Sequence, residues 1–126
     1  MGIERVPSSF APSSFSDAVA VDGPGRWIQV AGQVGLDPDG KVAGDLATQA
    51  NTSLDHVERI LTQAGASLCH VVKLTVYLTS LDNYAEFSKV RAERFAEGLP
   101  ASVAVQVAGL LLDAEIEIEA LAFVPS

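Results

Sequence analysis

Cysteine is nearly absent from this chain. The single one, Cys69, excludes an internal disulfide, and its place just before an apolar run reads as a small buried residue. Cations are scarce: 8 Lys and Arg stand against 16 Asp and Glu, a net charge of −8. An acidic surface repels phosphate backbones and has few cations with which to release counterions, so nucleic-acid binding is not expected. Long apolar runs are missing too. Nothing approaches the roughly 18 consecutive apolar residues that span a bilayer. The first residues, MGIERVPSSF, lack the basic start and apolar centre of a secretory leader and have Val6 where a myristoylation motif needs a hydroxyl. A cytoplasmic protein without a membrane partner is the expectation. The two histidines, His56 and His70, have no partner at metal-ligand spacing, so no metal is expected. His56 reads as a surface residue.

What is present is a patterned apolar content. Hydrophobic residues make up 48% of 126, enough for one domain with one core. The first 14 residues are rich in Ser and Pro and read as an irregular arm. Residues 18–21 and 27–34 read as a β-hairpin around the Asp22-Gly23-Pro24-Gly25 turn. Trp27 reads as packing within that hairpin. Residues 36–44 form a loop. Asp45 is placed to cap a helix over 46–64, with Leu46, Ala50, Leu54, Val57, Leu61 and Ala64 on one stripe and Gly65 as its stop. Residues 71–78, VVKLTVYL, are a strand. Ser80 or Asp82 caps a second helix to about residue 96, its buried face drawn from Tyr84, Phe87, Val90 and Phe95. Two strands close the chain. The order β-β-α-β-α-β-β implies an α+β fold, a single mixed β-sheet with two helices packed on one face. The other face then meets water or a partner.

The last pair of strands carries the chemistry. Residues 115–119 alternate Glu-Ile-Glu-Ile-Glu, which predicts Glu115, Glu117 and Glu119 on one face. The same alternation groups Val103 and Val105 with Ile116 and Ile118, and Ser102, Ala104 and Gln106 with the glutamates. Ser102 as a nucleophile needs a histidine base, and neither histidine lies on a neighbouring element.

The stretch Pro100-Ala101, Val103, Val105 and Ile116-Glu117-Ile118-Glu119-Ala120 resembles the C-terminal signature of the YjgF/RidA family, which hydrolyses imines and enamines. The resemblance extends over nearly the whole chain: Ala31-Gly32-Gln33, Gln49, Asn51-Thr52-Ser53-Leu54, Gly65, Val71 to Leu78, and Leu81-Asp82-Asn83-Tyr84. It implies a YjgF/RidA-like, chorismate-mutase-like fold. It also implies a homotrimer with the sheets lining a central barrel, small-molecule clefts at the subunit interfaces, and no metal or organic cofactor.

Carried over by position, the resemblance makes Glu117 the catalytic residue that orients water. Gly32 becomes part of the cleft wall and the N–H of Ala104 a substrate donor. Two substrate-binding positions depart from the pattern. Phe15 stands where the family has a tyrosine, and Ser102 where it has the arginine that holds a substrate carboxylate; Ser88 replaces a common asparagine. A guanidinium grips a carboxylate through two charge-assisted bonds, and one hydroxyl does not replace it. Weak turnover of 2-aminoacrylate is therefore expected, with a substrate lacking the usual α-carboxylate, or a binding trimer without catalysis. Arg91 and Arg94 read as a solvated, ion-paired helix face among Glu86, Lys89, Glu93 and Glu97, with a reach into the cleft as the less favoured reading.

Overall fold

A computed structural model describes residues 2–10 and 12–126. Six strands form one mixed sheet: β1 (Ile3–Pro7), β2 (Ser16–Val21), β3 (Gly25–Val34), β4 (Val71–Leu78), β5 (Ala101–Gln106) and β6 (Ile116–Pro125). Their order across the sheet is β1-β2-β5-β4-β6-β3. Helices α1 (Leu46–Gln63) and α2 (Tyr84–Arg94) cover one face.

Both helices form where the apolar periodicity places them. Leu46, Ala50, Leu54, Val57 and Leu61 are buried along α1, and Phe87 and Val90 along α2. The Asp45 carboxylate accepts from the Thr48 N–H at 2.9 Å and caps α1. Gly65, at φ +84°, turns the chain out of it. Ser80 caps a short turn at residues 81–83 that leads into α2. The helices meet the sheet through Val30, Leu74, Val76, Leu78, Ile116 and Ile118, all buried.

Four local expectations are corrected. The N-terminal arm is not irregular throughout, because residues 3–7 pair with β2. Arg5 ties this strand down by donating to the carbonyls of Leu99 at 2.8 Å, Cys69 at 2.7 Å and Val71 at 3.2 Å. A Ser- and Pro-rich composition does not reveal an anchor that reaches across the fold. Strands β2 and β3 do not form a hairpin. The turn at residues 22–25 reverses the chain, but β2 pairs with β1 and, at Ser16 alone, with β5, while β3 pairs with β6 from Gly25↔Pro125 to Val34↔Glu117. Trp27 accordingly packs on Phe123 of β6, with ring centroids 4.9 Å apart. Cys69 is exposed rather than buried, since the turn before β4 turns it outward. His56 is half-buried, its Nε2 2.9 Å from the Leu36 carbonyl.

The register also corrects the two faces of the last strands. Val76 sits opposite both Ala104 and Ile118, and Thr75 opposite both Val103 and Glu119. Directly opposed residues share a face. Ser102 and Ala104 therefore lie with the isoleucines on the helix side, and Val103 and Val105 with Glu117 and Glu119 on the open side. Alternation within each strand was readable; the pairing phase between β5 and β6, which never touch, is set by β4 between them. Glu115 leaves the row of glutamates. It precedes β6 and accepts from the Gln49 side-chain amide at 3.0 Å, tying α1 to the sheet.

The Asp45 cap has a pH signature. The Thr48 backbone and side-chain bonds hold the Asp45 carboxyl below its ordinary value of 3.8. A depressed native pKa contributes stability above the unfolded value, lost as pH falls through the folded one. Asp45→Ala is expected to lower Tm by a few degrees at neutral pH, with the difference from the parent protein shrinking in thermal melts below the ordinary aspartate value.

Candidate functional site

The residues singled out in the sequence gather into two groups. Gly32 and Glu117 meet on the open face. A side chain at Gly32 would overlap the Glu117 carboxylate in its present position, so glycine here leaves the carboxylate the room it occupies. Tyr77, opposite Glu117 in the β4–β6 ladder, donates to Glu119 at 2.6 Å. That bond to Glu119 raises the Tyr77 phenol above its ordinary value, with burial adding to it. Glu117, Gly32, Tyr77, Glu119 and Leu110 line a cavity of about 260 Å³.

The second group lies on the helix side around Ser102. Arg91 is not solvated; it is 1% exposed. Its Nη1 donates to Ser102 Oγ at 2.8 Å, its Nε and Nη2 to Ser14 Oγ at 3.0 and 2.8 Å, and its Nη2 to the Tyr84 hydroxyl at 2.7 Å. The rings of Phe15, Tyr84 and Phe87 surround the guanidinium at 5.2, 5.5 and 5.0 Å. Ser88 joins through Ser14, with 2.7 Å between the hydroxyl oxygens. Arg94, one turn on, does behave as an ion-paired residue, bridging Asp55 at 2.9 Å and Glu58 at 3.4 Å.

Energetics explain how Arg91 is tolerated. Burying a lone charge costs on the order of several kcal/mol. Charge-assisted hydrogen bonds return about 1.5–3 kcal/mol each, and each aromatic face about 0.5–2. Four such bonds and three rings offset the burial without a carboxylate. Among the described residues no acidic group lies within 4.0 Å of this guanidinium.

The Ala104 N–H belongs to this second group. The Pro100 carbonyl faces β2, accepting from Ser16 N at 2.9 Å, while Val107 N donates to Leu78 of β4 at 2.8 Å. Backbone groups alternate sides along a strand, so those of Ser102 and Ala104 face the β2 side. There β2 pairs only at Ala101, which leaves the Ala104 N–H on an unpaired edge beside Ser102.

The sequence pattern singled out Gly32, Glu117, Ser102, Ala104 and Phe15 of these groups, gave no sign of Tyr77, Leu110 or Ser14, and missed two further things. It placed Arg91 on a solvated face because its neighbours in sequence are charged; the signal available was its spacing from Phe87 and Tyr84. It also treated the two groups as one cleft wall. In the ladder Ser102 is opposite Leu74 and Glu117 opposite Tyr77. That is three residues along β4 and two strand spacings across it, about 10 Å in each direction, on opposite faces. One small molecule does not touch both within a single chain. The absence of a cation inferred from Ser102 alone is also corrected: α2 brings one to that hydroxyl.

Comparison with known proteins agrees with this architecture. The sequence profile described as Endoribonuclease L-PSP matches residues 7–124. A RutC family protein of Pyrococcus abyssi is 42% identical over 122 residues, covering 95% of this chain and 92% of that protein. The human 2-iminobutanoate/2-iminopropanoate deaminase is 36% identical over 120 residues, covering 94% and 84%. Among solved structures, the Rid family protein YyfB of Yersinia pestis superposes with a TM-score of 0.79 at 31% identity over 97% of this chain and 98% of that one. E. coli TdcF with bound serine superposes with a TM-score of 0.75 at 33% identity over 97% and 94%. With its signature strands, its two-helix mixed sheet and these likenesses, the chain belongs to the Rid (YjgF/RidA) family.

Proposed function

We propose that this protein is a hydrolase of imines or enamines whose cleft forms between copies of the chain in a homotrimer. The observation that carries this reading is the split site. Glu117 with Gly32, and Ser102 with Ala104 and Arg91, are the two halves of one constellation, held on opposite faces of one sheet. A neighbouring copy that lays its open face against the β5 edge brings the halves together. The open face is suited to burial: Val103 is 48% exposed and Val105 39%, and the tip of the β5–β6 connection exposes Leu111 at 77% and Leu112 at 62%. An apolar surface of this kind on a mixed sheet is unusual for a lone chain.

In such a cleft the Glu117 carboxylate accepts a proton from water as the oxygen adds to the C=N carbon. Glu117 returns that proton to the nitrogen, giving a carbinolamine; a second transfer, from its hydroxyl to the nitrogen through Glu117, expels ammonia and leaves a carbonyl. Ser102 and the Ala104 N–H hold a substrate oxygen on the opposite side. No side chain in either group is a metal-ligand set, and among the described residues no cluster of three metal-binding side chains occurs. The human relative's name, a 2-iminobutanoate/2-iminopropanoate deaminase, supports the reaction class. The net charge of −8 argues against cleavage of RNA, whatever the family description. A second reading, a trimer that binds a small molecule without turning it over, is favoured by the departures at Phe15 and Ser102 from the family pattern.

Glu117→Gln separates the two readings. The hydrolase reading expects ammonia release from an imine generated in situ to fall by about 10²–10⁴, with binding of the carbonyl product nearly unchanged. A parent protein that binds the product but never exceeds the uncatalysed rate supports the second reading. Sedimentation equilibrium at micromolar concentration is expected to give a trimer; a stable monomer would remove the cleft.

A further inference from the structure

We propose that Arg91 is the anion-selecting residue of this protein, and that it acts on a substrate carboxylate through the Ser102 hydroxyl. The inference rests on the cleft location argued above, but not on turnover. Its basis is an inventory of protons. A guanidinium only donates. Ser14 Oγ accepts from both Nε and Nη2, which occupies its lone pairs, so its own proton goes to Ser88 Oγ at 2.7 Å. Ser102 and Tyr84 also accept from Arg91. Their protons must then point away from the guanidinium. Nη1, the nitrogen on the Ser102 side, makes only that one bond and keeps a second N–H.

Burial decides how the charge is used. Arg91 is held in its cage and is 1% exposed, while Ser102 is half-buried. A ligand at the unpaired β5 edge therefore meets the Ser102 O–H and the Ala104 N–H first, with the positive charge one hydrogen bond behind. Any ligand oxygen gains the two donors. Only an anion also gains the charge, which no protein carboxylate within 4.0 Å neutralises among the described residues and which aromatic rings shield from water. This arrangement selects carboxylates by charge, although the residue at position 102 is neutral.

Calorimetry with 2-ketobutyrate and its neutral amide, 2-oxobutanamide, tests the inference. The parent protein is expected to prefer the anion by about tenfold or more. Arg91→Gln is expected to abolish that preference while keeping the amide affinity within about threefold, a pattern that general loss of structure does not give. Ser102→Ala removes the Nη1 acceptor but keeps the Ser14, Tyr84 and aromatic contacts of Arg91, and is expected to weaken the preference several-fold. The double variant Arg91→Phe/Ser102→Arg, which returns a guanidinium to the same place from β5, is expected to restore it. An unchanged preference in Arg91→Gln, or in Ser102→Ala should Arg91→Gln fail to fold, overturns the proposal, as does a parent with no preference. Anion preference without ammonia release sinks the hydrolase reading alone. Imine hydrolysis without anion preference sinks this one alone.

Discussion

The contact on which the rest of the candidate site depends is the buried Arg91 guanidinium, bonded four times to three hydroxyl-bearing residues. It joins α2 to the segment before β2 through Ser14 and to β5 through Ser102. It also draws Phe15 and Tyr84 onto one point. Removing a partner from such a charge leaves an uncompensated ion in a dry place, which is why a network of this kind is either complete or costly. Here it is complete without an acidic residue. Balance by neutral hydroxyls leaves the field of the charge directed at the adjacent sheet edge, where the Ala104 N–H is unpaired.

The second constraint is the sheet itself. A sheet has two faces, and a strand residue chooses between them by parity. Glu117 and Ser102 have opposite orientations because β4 sets the phase of both neighbours. No rotamer change brings them together. On the proposed reading, function that needs both is assembled between chains, and the exposed valines of β5 on the Glu117 side are the surface that assembly covers. Gly32, lacking a side chain, leaves room for the Glu117 carboxylate on that side.

Much of this was legible in the chain. The helix stripes, the Asp45 cap, the Gly65 stop and the terminal strands follow from local periodicity and capping chemistry, and they emerge where expected. The signature residues Gly32, Ser102, Ala104 and Glu117 were recognisable by order and spacing. What was not legible is whatever depends on distant partners. The β2–β3 turn says that the chain reverses but not which strand it joins. Nothing in the composition of the N-terminal arm points to the three carbonyl acceptors of Arg5. Arg91 sits among charged neighbours, and only the packing of Ser14, Tyr84 and Ser102 around it shows that it faces inward.

The claim that one active cleft takes its halves from two chains has a direct test in subunit mixing. Glu117→Gln removes the base of one half, and Arg91→Gln removes the other half's hold on a substrate carboxylate. Co-refolding the two variants in equal amounts, and measuring ammonia release from an in situ imine, is expected to recover about a quarter of the parent activity, because a randomly mixed ring pairs an intact Arg91 half with an intact Glu117 half that often. Activity no greater than the mean of the two separate variants, with mixed assemblies demonstrated by mass, would place both halves in one chain and contradict the account.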